Sequence, residues 1–383
     1  METPALVLLA VKGLLAACLP LAMVWMSSDA NKYRKLVWVT VFLTFDLIVF
    51  GAFTRLTDSG LGCPDWPGCY GAANPFIAHE QIAAAEALMP TGPVTVVKAW
   101  IEMTHRYFAM GIGVLIMALM GTSWLQWRKT RRSEFSPAIP TALFFFVCVQ
   151  GAFGAWTVTL KLQPLIVTIH LLLGMGLLAL LAWMGGRQDH AMRPPTAPAA
   201  GAGALAALRP LAIASFALLF AQIALGGWVS TNYATLACSD FPLCGGQVVP
   251  EMDFEHGFTL WRELGMTAAG QYLPFSALTA IHWVHRNFAF VVFAVIGWTA
   301  WRAWPHAGLQ KTARLLAIAL AAQFATGVAT VFLDFPLAIA VLHNAGAAVL
   351  VLLTTMLNYQ IKYQLDPAQR ATASALTPQA SHP

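Results

Sequence analysis

"CPDWPGC" occupies residues 63–69 and "CSDFPLC" residues 238–244. Each stretch sets two cysteines at the same spacing, with Asp and Pro in register between them, and the two copies are 175 residues apart. At that offset Gly51 meets Gly226, Leu61 meets Leu236, and Gly71 meets Gly246. Further along, "HRYFA" (105–109) matches "HRNFA" (285–289) at an offset of 180. Gly154, Thr157 and His170 then meet Gly327, Thr330 and His343 at 173. Landmarks that recur in one order with small drifts in spacing mark an internal duplication.

The composition says where the duplicated unit lives. The chain has 383 residues, 58% hydrophobic and 10% charged, with a mean hydropathy of +0.65. Soluble domains carry about 25% charged residues, so this balance points to a membrane protein. Apolar runs of spanning length fall at about 4–26, 36–55, 98–124, 138–160, 164–186, 208–230, 278–302, 312–333 and 337–360. The first is read as a retained helix: "METPALVLL" opens with an acidic residue, has no basic n-region and leads to no A-x-A cleavage site.

Nine spans divide into one extra helix and two units of four. An even number per unit gives both the same orientation, a parallel repeat about the membrane normal. The expected fold is an all-α polytopic membrane protein, two parallel four-helix bundles plus an N-terminal transmembrane helix. Its parts are that helix and a short connector (1–35), the first bundle (36–186), a Pro/Ala/Gly-rich linker (187–207), the second bundle (208–360) and a tail (361–383).

Charge sets the expected orientation. "NKYRK" (31–35), "RKTRR" (128–132), Arg187 with Arg193, the segment with Arg302, Lys311 and Arg314, and the tail with Lys362 and Arg370 fall in alternate connections. The remaining loops hold few basic residues and several acids, among them Asp58, Asp65, Glu80, Asp240 and Glu251. Basic loops face the cytoplasm, so the net charge of +5 reflects topology rather than nucleic-acid binding. The N-terminus and both cysteine loops are expected outside and the C-terminus inside.

On the oxidising side disulfides persist, and Cys63–Cys69 with Cys238–Cys244 is the simplest pairing. Metal binding is the rival reading, although neither loop adds a His at ligand spacing. Cys18 and Cys148 lie within apolar spans and read as small hydrophobes.

Of ten histidines, His79, His190, His256, His306 and His382 fall in loops or the tail. His105, His170, His282, His285 and His343 fall within spans, where ionisable residues are costly and line pathways or cofactor sites. Counting from the helix starts, His105, His170, His285 and His343 sit at one depth, about 9–12 Å in. A lone buried histidine is usually a satisfied core residue; a matched pair in each of two repeats is not explained that way. Two imidazoles facing across a four-helix bundle suit six-coordinate haem iron. Arg106 and Arg286, directly after two of these histidines, are candidate partners of haem propionates or interfacial anchors. The halves differ where Glu102 stands three residues before His105 and His282 three before His285. A carboxylate beside one site alone suggests chemistry in the first half and a supporting cofactor in the second; the alternative is that Glu102 merely orients His105.

"GAFTRLTDSGLGCPDWPGCYG" (51–71), "EMTHR" (102–106), "GGWVSTNYATLACSDFPLCGG" (226–246) and the four helix histidines together resemble haem A synthase over roughly residues 36–360. The segment "NKYRKLVWVTVFLTFDLIVFGAF" (31–53) is similar to proteobacterial members with an extra N-terminal helix; the family core has eight spans, so residues 1–35 depart from it. The resemblance implies oxidation of the C8 methyl of haem O to a formyl group by successive hydroxylations, giving haem A for terminal oxidases in the bacterial inner membrane. It implies that His105 and His170 bracket the substrate haem, that Glu102 is the acidic residue needed for catalysis, and that His285 and His343 ligate a haem b cofactor. The cysteine pairs would be periplasmic disulfides, absent from some members, that either clasp a loop or exchange electrons. Haem O synthase, terminal oxidase assembly factors, membrane lipid and an electron acceptor left unidentified are the implied partners. The rival readings are a bis-histidine di-haem electron-transfer cytochrome, which needs no carboxylate beside one haem, and a haem transporter or chaperone.

Overall fold

A computed structural model describes residues 5–192 and 202–365. Arg193, Arg370 and His382, named above, lie outside the described residues, as do parts of the linker and tail. Eleven α-helices and one short 3-10 turn make up the described chain, with no β-strand among the described residues. Nine of the helices are long and apolar enough to cross a membrane, which makes this a multi-pass membrane protein. They are α1 (Ala5–Met26), α2 (Lys32–Leu56), α4 (Val96–Thr130), α5 (Ala138–Thr159), α6 (Pro164–Ala191), α7 (Ala202–Thr231), α9 (Phe275–Ala303), α10 (Gln310–Phe332) and α11 (Leu337–Leu365). Helices suit this solvent because each satisfies its backbone polar groups internally.

The chain marks its own helix starts. Asn31, Thr95 and Gln163 each turn a side-chain oxygen onto an amide three residues on, at 2.9, 3.2 and 2.9 Å. Such caps satisfy amides that have no partner within the helix. Helices α4 and α9 therefore begin slightly before the apolar runs at 98 and 278, because their caps are set by Thr95 and by Pro274. Two further helices, α3 (His79–Leu88) and α8 (Phe254–Gly257), lie in the long loops. They are too short and too polar to register as apolar runs.

Within each half the four long helices close into a ring. In the first, α2 packs on α4, α4 on α5, α5 on α6 and α6 on α2; in the second, α7, α9, α10 and α11 repeat the order. Diagonal helices in each ring, α4 with α6 and α9 with α11, carry the histidines. The last link of each ring repeats in detail: Lys161 and Leu162, like Asp334 and Phe335, take left-handed backbone (φ 50–59°). There Leu162 donates to the Thr157 carbonyl and Phe335 to that of Thr330, both at 2.8 Å.

The rings meet along α2, α6, α7 and α11, through one buried apolar cluster that includes Leu178, Leu181, Val351 and Leu357. At the cysteine-loop end, equivalent positions bond to each other. Arg55 donates to the Ser230 carbonyl at 2.6 Å, lies 4.2 Å from the Tyr233 ring centre, and Tyr233 donates to Asp58 at 2.7 Å. Each hydrogen-bonded pair is separated by 175 residues, the duplication offset, as happens at the axis of a two-fold self-complementary contact.

Helix α1 stands outside the rings and packs on α4, touching α2. Lys12 anchors it, donating to the Ala73 carbonyl (3.1 Å) and the Tyr107 hydroxyl (3.2 Å). Close approach needs a glycine at Gly13, since a side chain there would meet Met110 Cβ at 2.6 Å.

Candidate functional site

Both cysteine pairs are closed as disulfides, Cys63–Cys69 and Cys238–Cys244. The chain inside each ring is shaped by its aspartate. Asp65 accepts from the amides of Tyr70 (2.6 Å) and Gly71 (2.7 Å), and Asp240 from those of Gly245 (2.6 Å) and Gly246 (2.9 Å). Gly71 and Gly246 have φ of +72° and +73°, a conformation that glycine adopts without steric cost. These amide bonds hold the Asp240 carboxyl below its ordinary value of 3.8. Cys18 and Cys148 are unpaired and lie on exposed helix faces.

The loops are clasped from the helices below them. Arg106 Nη1 donates to the carbonyls of Gly68 (2.6 Å), Asp65 (3.1 Å) and Pro67 (3.3 Å), and Arg286 Nη2 to those of Asp240 (2.7 Å) and Leu243 (3.1 Å). Glu102, 4% exposed, accepts from the Cys63 amide at 2.7 Å and from Arg106 Nη2. In the second half His282, 5% exposed, accepts at Nδ1 from the Cys238 amide at 3.3 Å. Glutamate and histidine thus hold the same amide in the two repeats, and only the first brings a negative charge.

Beneath the loops runs a cavity of about 1190 Å³ that reaches into both rings. It is lined by His105, His170, His285 and His343, with Glu102 and Arg286 also on its wall. Each imidazole lies against a glycine of the neighbouring helix. A side chain on Gly51, Gly154, Gly226 or Gly327 would put Cβ at 3.0, 3.1, 2.9 or 3.0 Å from Cε1 of His105, His170, His285 or His343. The four glycines that mark the duplication are therefore the space in which the four histidines stand.

Glutamines one helical turn before three of these glycines complete the surroundings. Gln150 donates to the His170 carbonyl at 3.1 Å, Gln222 lies 3.1 Å from both Nδ1 and the carbonyl of His285, and Gln323 is 3.3 Å from Nε2 of His343. The fourth position is Leu47. None of these glutamines is singled out by hydropathy, yet Gln150 and Gln323 obey the 173-residue offset and were legible there.

These residues fit two haem groups. Paired imidazoles line an apolar slot, and Nη1 of Arg286 is buried without a hydrogen-bond partner. Buried polar atoms normally find partners, so this arm is left for something else. A bare metal ion has no such cage: no three His, Cys, Asp or Glu side chains converge among the described residues. The guanidinium of Arg106 is committed to loop carbonyls and Glu102, while Arg286 keeps Nη1 unpaired.

The family model COX15-CtaA, described as cytochrome oxidase assembly protein, matches residues 34–355. The chain belongs to this family. Among its relatives is the haem A synthase of Shewanella oneidensis, 34% identical over 339 residues that cover 88% of this chain and 99% of that one. Those of Chelativorans sp. (28% identical, 85% and 91% covered) and Alkalihalophilus pseudofirmus (26%, 82% and 91%) span nearly as much. The family match begins at residue 34, in the first turn of α2, so α1 is outside the shared region.

Proposed function

We propose that this protein is a haem A synthase, an oxidoreductase that converts the C8 methyl of haem O to a formyl group. The observation that carries it is the Glu102/His282 asymmetry set between two otherwise matching histidine pairs, in a chain of this family. A plain di-haem electron conductor has no use for a carboxylate at one haem alone, and the named relatives are haem A synthases.

In this reading the first ring, residues 36–186, takes haem O between His105 and His170, and the second, residues 208–360, holds haem b between His285 and His343. Haem b, when bound, would relay electrons one at a time to the unidentified acceptor outside this chain. Each hydroxylation removes an electron pair and two protons and adds the oxygen of water, so positive charge grows at the methyl carbon. Glu102 lies on the cavity wall, where a carboxylate stabilises that charge and accepts a proton from attacking water. Arg106 holds the carboxylate in place, with the cysteine loop as a lid, and Arg286 holds a propionate in the second ring. The charge pattern supports cysteine loops on the periplasmic side of the inner membrane, the N-terminus outside and the C-terminus inside. Haem O synthase and terminal oxidase assembly factors are the fitting donors and takers of haem, with membrane lipid around the helices.

Pigments extracted from the full chain, purified from cells that make haem O, test this. Haem A or its hydroxylated precursor beside haem b is the expected result. Haem b alone under every condition would overturn the assignment.

A further inference from the structure

We propose that Thr326 is a positioning residue that fixes His343 as an iron ligand and so makes the second-ring haem the permanently held one. The inference rests on the bis-histidine reading above. Thr326 Oγ1 lies 3.0 Å from Nδ1 of His343 and 3.0 Å from the carbonyl oxygen of Gln323. A hydroxyl has one hydrogen, and a carbonyl can only accept it. The remaining role of Oγ1 is to accept from Nδ1, which therefore carries the imidazole proton. At the other side of the ring the Gln323 amide lies 3.3 Å from Nε2, where it meets a lone pair in this tautomer; a bound iron would take its place. Both contacts fit one tautomer, with Nε2 as the coordinating atom.

The first ring lacks this device. Thr326 immediately precedes Gly327; the matching residues are Phe153 before Gly154 and Phe50 before Gly51. Neither can accept a hydrogen bond from an imidazole, and Nδ1 of His170 and of His105 is buried without one. In the second ring the device is confined to His343, since Leu225 precedes Gly226. A ligating histidine whose second nitrogen is hydrogen-bonded is held in orientation and made more basic, and losing that partner typically costs 10- to 100-fold in affinity. The unheld pair suits a substrate that must leave after each turnover, and a ring with one ligand held suits a cofactor that must stay.

The test is haem transfer from the full-length purified protein to excess apomyoglobin, with a redox titration alongside. Thr326→Val, nearly the same in shape, should speed loss of the slowly released haem by about 10- to 100-fold and raise its midpoint potential. Thr326→Ser should restore both, and Thr326→Ala should repeat the Val result in a smaller side chain. Unchanged release and potential in Val and Ala, or a Ser variant that behaves like them, overturns the proposal. His343→Ala separates this from the reading beneath it: if the slowly released haem survives that change, the histidine assignment itself is wrong and the Thr326 role falls with it.

Discussion

The carboxylate of Glu102 accepts a hydrogen bond from the amide of Cys63 at 2.7 Å, joining the cavity wall to the disulfide loop above it. The position is structural in both repeats, since His282 holds the Cys238 amide in the same way. What differs is charge, and charge is separable from the clasp.

Glu102→Gln keeps an oxygen for the Cys63 amide and removes the negative charge. We expect haem A formation in cells supplied with haem O to fall by about 10²-fold, the usual effect of deleting an electrostatic stabiliser, while bound haem is retained. Chromatography of extracted pigments measures it. Undiminished haem A in this variant and in Glu102→Ala would remove Glu102 from the chemistry.

Gly154→Ala and Gly327→Ala place Cβ at 3.1 and 3.0 Å from Cε1 of His170 and His343. Packed interiors do not absorb such an overlap without moving a side chain. The first change should lose the substrate haem and the second the cofactor haem, each leaving the other absorbance signal intact. Wild-type spectra from both variants would show that the histidines do not depend on these glycines.

Replacing Cys63 and Cys69 together by Ser tests the loop. A ring closed over six residues of separation restrains the unfolded chain by about 2 kcal/mol, so thermal stability should drop modestly. Arg106 and Glu102 still clasp the loop, and histidine-bound haem should remain. If turnover also survives, the disulfide is a clasp; loss of turnover with full haem content would assign it the redox role.

Asp240 gives a pH signature at the second loop. Its folded value is lowered by the amides of Gly245 and Gly246, so its contribution is fully present above the unfolded value of 3.8 and is lost as pH falls through the still lower folded value. Asp240→Asn should reduce stability at neutral pH and flatten this acid dependence. Thermal unfolding across that range measures both. A variant with the same acid limb as the parent would exclude Asp240 as its source.

Arg55 joins the halves through the Ser230 carbonyl and the Tyr233 ring. Arg55→Ala should cost about 1–2 kcal/mol, as a charged hydrogen bond and a partly exposed cation–π contact together imply. Denaturation in detergent is the measurement, and an unchanged midpoint would show that the apolar seam alone couples the rings.

Much is legible in the sequence, for reasons tied to particular residues. Gly51, Gly154, Gly226 and Gly327 repeat because each leaves room for an imidazole, so they and the histidines marked one another in sequence. The pairing of cysteines followed from their short separation. Thr326 and Gln222 were not legible, because a hydroxyl or amide within an apolar helix has meaning only through the histidine that a different helix sets beside it. The same holds for Arg106 and Arg286, whose neighbours alone show that one is spent on the loop and Glu102 while the other keeps Nη1 unpaired.

The sequence by itself determined the membrane helices, the duplication, the disulfide loops and the matched histidines, since hydropathy, spacing and repetition are properties of the chain read in order. The tertiary structure alone decided which groups meet: that Glu102 and His282 hold equivalent amides, that one cavity serves both rings, and that His343 is oriented where His105 and His170 are not. Hydrogen bonds act over about 3 Å, and only folding brings α10 and α11, or a loop and the helix beneath it, that close.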